Sequence, residues 1–221
     1  MTLALVLAVA GAVFWYRHNR NGRRPGAGAS GIARARKLRT PLVRLASLLG
    51  ISTARGRLAD RSDIGAAGEQ ATALLLDPLR TLGWTVLHDR ALPTGRANVD
   101  HLVVSRSGVV FVVDSKQWDR RFRVRVVGGR LLHGNRDVTG RLRGLRHEAD
   151  TVARVLDCAV VRVVAMHGAP VEGGELLVEG VRIVPASRVS AVLRSIGRRR
   201  AAAGTHQGDR ATALFPPHGR R

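Results

Sequence analysis

The sequence predicts an α/β (α+β) domain behind an N-terminal transmembrane helix, and three observations carry that reading. Two apolar runs, 102–104 and 109–113, flank Arg106-Ser107-Gly108 and read as antiparallel strands joined by a tight loop. Segments of helical period, 64–76 and 141–156, lie on either side of this hairpin. Residues 2–16 form an unbroken apolar run followed by Arg17, His18, Arg20, Arg23 and Arg24.

From the N-terminus, residues 1–17 are expected to anchor the chain in a membrane. A helix of this length reaches about 22 Å against a hydrocarbon core of ~30 Å, and Trp15, Tyr16 and a snorkelling Arg17 extend it. The rival is a cleaved signal peptide ending near Ala8-Val9-Ala10, but the basic segment that opens such peptides is missing. Basic residues after the run favour a single-pass protein of the cell membrane with its C-terminal part cytoplasmic. Residues 18–61 read as a basic juxtamembrane linker, without fixed structure over 19–31. Within it, Thr40-Pro41 starts a short amphipathic helix over 38–49, lying on the membrane or packing on the domain.

The domain itself is expected over 62–196. Ser62 or Asp63 caps the helix 64–76, in which Gly65 and Gly68 allow close packing and Leu74, Leu75 and Leu76 give the apolar side. A first strand over 84–87 and a polar loop over 88–97 lead into the hairpin. Arginine alternates with apolar residues over 122–127, and Gly128-Gly129 turns the chain, which suits an antiparallel edge. Leu142, Leu145, Ala149, Val152 and Leu156 make 141–156 the second main helix. Residues 159–166 read as a buried strand, 176–178 and 181–184 as short strands, and Ser187 as the cap of a last helix ending at Ile196. Residues 197–221 lack periodicity and read as a disordered basic tail.

The net charge of +21 is unevenly spread, with +11 from residues 17–62, +5 from 63–196 and +5 from 197–221. Basic flanks of this kind suit nucleic acid or anionic lipid, or are simply solvated tails. Cys158 is the only cysteine, which excludes an intrachain disulfide and a multi-thiolate zinc site. Only two of the 37 basic residues are lysines, Lys37 and Lys116. An ammonium is a compact point charge that a planar guanidinium does not replace.

Lys116 falls beside acids. If the hairpin pairs symmetrically about Ser107, Asp100 faces Asp114, with Cβ atoms about 4.5–5.5 Å apart. Two carboxylates that close repel unless a cation or proton lies between them. Alternation along the strand puts Asp114 and Lys116 on one face and Ser115 on the other. Together with Glu69 on the first helix, these residues have the composition of a metal-dependent phosphodiesterase site. Magnesium takes one or two carboxylates plus waters and substrate phosphate, which Asp100 and Asp114 would supply. Lys116 would orient a water or stabilise transition-state charge, and Glu69 would hold a water or a second metal. Alone, Glu69 also reads as an exposed glutamate favoured by the helix dipole. Arg120, Arg121, Arg123 and Arg125 are placed to contact phosphate, or to keep a solvated edge from aggregating. His88 and His133 are expected in exposed loops and His101 on the face away from the acids, while His147 is a candidate for a place behind the metal ligands.

On these residues the sequence resembles the nuclease-related domain (NERD) family of the PD-(D/E)xK nuclease superfamily. The resemblance runs from about Ile64 to Ile196 and rests on GAAGEQ at 65–70, NVDHLVVSRSGVVFVVDSKQW at 98–118 and the following helix with His147. It implies a restriction-endonuclease-like mixed sheet flanked by helices and Mg2+- or Mn2+-dependent cleavage of nucleic acid, DNA above all. Two departures stand out. Asp114 is one methylene shorter than the glutamate common in the family, and Arg143 stands nearest the place where the family often has glutamine. Either change suits a degenerate domain that binds nucleic acid at the membrane without cutting it. A scaffold whose basic flanks bind only anionic lipid is the third reading.

Overall fold

In a computed structural model, residues 26–43, 51–93, 97–199 and 206–218 are described. The candidate anchor at 1–17 lies outside them, and no helix among the described residues is long and apolar enough to cross a membrane.

The core is a six-stranded mixed sheet in the order β1 (Thr85–Ala91), β2 (Asn98–Val104), β3 (Val110–Gln117), β7 (Val160–His167), β9 (Val181–Pro185), β8 (Leu176–Val178). β1, β2 and β3 form an antiparallel meander; β3, β7 and β9 run parallel, and β8 returns antiparallel. β4 (Val124–Val127), β5 (Arg130–His133) and β6 (Arg136–Asp137) make a separate three-stranded sheet, so the arginine-rich segment is not an edge of the main one.

Both faces of the main sheet are covered, which is why its central strands read as nearly continuous apolar runs. On one face Leu102, Val112, Val164 and Met166 pack against Leu145, Ala149, Val152 and Leu156 of α3 (Arg143–Leu156). On the other, Val103, Phe111, Val113 and Ala165 meet Leu76 of α2 (Ala54–Leu76) and Val189 and Leu193 of α4 (Val189–Arg199).

The first domain helix begins at Ala54, ten residues before the expected start at Ile64. Thr53 accepts a hydrogen bond from the Gly56 N–H at 3.0 Å, and α2 runs from Ala54, with Ser62 donating to the Leu58 carbonyl inside it. The reason is α1 (Ala29–Leu38), which buries Ala35 and approaches Ala59 and Ala66 of α2. The two helices meet so closely that a Cβ on Gly28, at φ +75°, would stand 2.7 Å from the Ala66 carbonyl oxygen. Of residues 26–31, expected without fixed structure, 29–31 thus open a packed helix and 27–28 form the turn before it. Thr40 caps the short helix as expected, through Val43 N–H at 3.4 Å, whereas residues 44–50 lie outside the described residues.

At the other end, the tail expected to be disordered contains α5 (Gln207–Leu214). Ala211 and Phe215, one helical turn apart, are fully buried in the core beside α3. The chain then pairs with β1, Ala91 N–H donating to the Pro216 carbonyl at 2.9 Å and His218 N–H to the Asp89 carbonyl at 2.8 Å. This covers an edge that would otherwise expose unpaired backbone groups.

Candidate active site

The hairpin register is the one that symmetry about Ser107 requires. His101 pairs with Val113 and Val104 with Val110, which places Asp100 opposite Asp114. Gly108 closes the turn at φ +83°. Alternation then sends Asp100, Asp114 and Lys116 to the α3 side of the sheet, and His101 and Ser115 to the α2 side. Asp114 is buried at 5% exposure and its Oδ2 lies 2.5 Å from Lys116 Nζ. Ser115 N–H donates to Asp100 Oδ2 at 3.3 Å.

α2 delivers the third acid. Gly68 lies over Ser115 and Gln117, where the missing Cβ lets the helix sit close to β3, and Glu69 turns toward the carboxylates. Glu69 Oε2 accepts from the Gly28 N–H at 3.0 Å. It is therefore no exposed helix glutamate. Glu69, Asp100, Asp114 and Lys116 line one cavity of about 720 Å³.

The cavity contains a further acid that sequence reasoning passed over, Glu148 of α3. Its signal was present: Glu148 falls inside the apolar stripe of Leu145, Ala149 and Val152, where packing alone would place no carboxylate. Its neighbour His147, a candidate for a place behind the ligands, is exposed. A second missed acid is Asp89. The pairs His88↔His101 and Arg90↔Val99 put it level with Asp100, and it is 2% exposed. Asp89 accepts hydrogen bonds from the Ser30 N–H and Asn98 Nδ2, both at 2.8 Å. The polar stretch 88–91, expected as loop, is in fact strand because these groups find partners within the fold.

The electrostatics follow from acids outnumbering cations in a poorly hydrated place. Burial, with Asp89 and Asp114 adding repulsion, pushes the Glu69 carboxyl up to about 7. Burial and Asp114 push Glu148 up to about 8. Asp100 is held well above its ordinary value by burial and then by Glu69, Asp114 and Glu148. Burial pulls the Lys116 ammonium down, but Asp114 outweighs it and keeps it charged. One ammonium thus faces four carboxyl groups. That imbalance, in an all-oxygen donor set, fits a hard divalent cation. Among the described residues no three acids or histidines already converge as a closed metal cage, so a cation would take one or two carboxylates, with water and substrate completing its shell.

The remaining candidates lie elsewhere. Arg120 is exposed, Arg121 pairs with Asp119 at 2.6 Å and Arg123 with Glu172 at 3.5 Å. Arg121 and Arg123 line a separate cavity with Phe122, Arg125 and Asn135. Besides Lys116, the cations lining this cavity are Arg61, Arg136 and Arg141, all exposed at its rim, because β3 leaves the site at Trp118 before the arginine run begins.

On the reverse face, a chain of side-chain hydrogen bonds joins the same elements. Asp77 Oδ1 lies 3.1 Å from His88 Nε2, and His88 Nδ1 lies 2.8 Å from His101 Nδ1. Ser115 Oγ sits between His101 Nε2 at 3.1 Å and Thr72 Oγ1 at 2.8 Å, and Thr72 reaches His167 Nε2 at 2.7 Å. Asp77 can only accept when ionised, so His88 carries its proton on Nε2 and accepts at Nδ1 from His101. Burial holds both imidazoles below their ordinary pKa, His101 far below. His88 is therefore not the exposed loop residue expected, whereas His101 does face away from the acids.

Residues 64–167 match the family model described as nuclease-related domain. No curated protein and no solved structure matches the chain.

Proposed function

The chain carries a nuclease-related domain over residues 64–167, and from that premise we propose that it is a metal-dependent nuclease acting on DNA. The observation that carries the reading is the buried Asp114–Lys116 pair at 2.5 Å, facing Asp100, Glu69 and Glu148 across one cavity.

Asp100 and Asp114, with Glu69, are the residues that would hold Mg2+ or Mn2+. Bound there, such an ion would supply Lewis acidity to a water and offset charge on the phosphoryl oxygens. The protein does the rest. Ser115 N–H fixes the Asp100 carboxylate, and Asp114 holds the Lys116 ammonium at the cavity wall. From there Lys116 directs its charge at the phosphoryl group, where negative charge grows as the water oxygen attacks phosphorus and the P–O bond opposite breaks. Partial burial of the acids strengthens each of these interactions.

We place residues 2–16 in the cell membrane, with the domain on the cytoplasmic side, on the strength of the apolar run and the arginines after it. A second reading, nucleic-acid binding without turnover, is favoured by Asp114 standing where the family commonly has the longer glutamate. The deciding experiment sets the full chain, in detergent, beside its Asp114→Asn variant with and without Mg2+. The nuclease reading requires cleavage by the former alone and only with metal. Salt-sensitive DNA binding without cleavage by either selects the binding reading.

A further inference from the structure

The carboxylate cavity continues into a second one, of about 770 Å³, between α1 and α2, and the two share Arg61, Gly65, Glu69 and Asp100. At the far end of the second cavity stand Arg34 and Lys37, three residues apart on one face of α1. At the opposite end of the first stand Arg136 and Arg141, the latter 5.7 Å above the Trp118 ring. All four, and Arg61 between them, are exposed, and none makes an ion pair among the described residues. Nearby Arg39 differs, being engaged by Asp60 and Asp63 at 3.0 and 2.6 Å.

α1 is held in register with the acids. Its first N–H groups bond to Glu69 and Asp89, and Asn98 Nδ2 reaches Ser30 Oγ at 3.3 Å as well as Asp89. Ala35 faces α2, so the turn carrying Arg34 and Lys37 points into the cavity. This helix lies wholly outside the segment that matches the family model.

We infer that the combined groove is a track for one polynucleotide strand, in which cations on both sides of the carboxylates hold phosphates upstream and downstream of the bond to be cut. The inference rests on the nuclease reading above and sharpens it: the substrate is an internal phosphodiester, and the enzyme needs no strand end. A site that trims ends requires phosphate contacts on one side of the acids, and cations here stand on both.

The test uses the full chain with Mg2+ on closed circular single-stranded DNA and on a linear strand of the same sequence. Opening of the circle at a rate comparable to cutting of the linear strand is the expected result; degradation of the linear strand with the circle left intact overturns the inference. In parallel, binding of a fluorescent single-stranded oligonucleotide is titrated with salt for the wild type, the Arg34→Ala/Lys37→Ala pair and the Arg136→Ala/Arg141→Ala pair. Each pair should flatten the log Kd against log salt plot by about 1.4, since two phosphate contacts to a single strand are lost. An unchanged slope in either pair overturns the track. If no DNA is cut in any form, the nuclease reading fails while the two slopes still decide whether the strand lies in this groove.

Discussion

His101 Nε2 lies 3.1 Å from Ser115 Oγ, directly behind the strand positions that present Asp100 and Asp114 to the cavity. Four residues of this hydrogen-bonded chain are close neighbours in sequence of site residues: His88 of Asp89, His101 of Asp100, Ser115 of Asp114 and Lys116, Thr72 of Glu69. These bonds therefore fix the spacing of four elements from the face of the sheet opposite the carboxylates.

His101→Ala should destabilise the protein by about 3 kcal/mol, since it opens a cavity and leaves buried partners unsatisfied. The pH dependence gives a separate signature. His101 is fully buried and its folded pKa lies well below the ordinary 6.5, so the unfolded chain takes up a proton that the folded chain refuses. The His101 contribution is complete above about pH 6.5 and falls as pH drops toward the folded pKa, by up to ~1.4 kcal/mol per pH unit. Because the carboxylates titrate in the opposite sense over the same range, urea denaturation reads this loss as a difference: as pH falls from 8 to 5 the wild type should lose stability relative to His101→Gln. An unchanged difference between the two across that range would remove His101 as its source.

The carboxylates act in the opposite direction. Glu69 and Glu148 have folded pKa values of about 7 and about 8, above the ordinary 4.5. Their contribution is fully present below pH 4.5 and lost as pH rises through 7 to 8, again by up to ~1.4 kcal/mol per pH unit for each group. Without metal, the melting temperature should fall across this window, and Glu148→Gln should raise it at pH 8 by removing a charge that repels Asp114. Added Mg2+ should raise the wild-type melting temperature more at pH 8 than at pH 6, because it competes with protons for the same oxygens. A metal shift independent of pH would place the ion elsewhere.

How much of this was legible in the sequence depended on periodicity. The hairpin and its register could be read because apolar runs of matched length flank one short turn, and α3 because five apolar residues keep the 3.6-residue period. Asp100, Asp114 and Lys116 followed from hairpin register and alternation, and Glu69 only from their company on the preceding helix. What could not be read were polar segments whose partners are distant in sequence. Residues 88–91 looked like a loop because their polar groups are satisfied by Asp77, Asn98 and Ser30. The start of α2 and the whole of α1 were hidden because small residues, Gly28, Gly31, Ala35, Ala59 and Ala66, pack them together without an apolar stripe. In α5 only Ala211 and Phe215 repeat, which is too short a period to register.

That last element should matter for any attempt to isolate the domain. Phe215 is fully buried against α3, so Phe215→Ala should cost about 3–5 kcal/mol. A fragment of residues 60–196 loses both α5 and α1, and with them the strand cover on β1 and the N–H groups on Glu69 and Asp89. It should be more readily digested by protease than a fragment spanning 26–218, with first cuts near β1. Equal resistance of the two fragments would show the outer elements to be dispensable.

Lys116 offers the sharpest separation of stability from chemistry. Its ammonium is the counter-charge of buried Asp114, with the side chain 26% exposed. Lys116→Ala should therefore lower stability by less than the ~3–5 kcal/mol typical when a fully buried pair is broken, and lower cleavage by about 10²–10³-fold. Lys116→Arg restores a cation that can pair with Asp114, but its planar fork cannot place charge at the same point. The arginine variant should recover melting temperature without recovering cleavage, while both variants bind DNA within a few-fold of wild type. Cleavage by Lys116→Arg at the wild-type rate would reduce Lys116 to a partner of Asp114 and leave the transition-state charge to other groups.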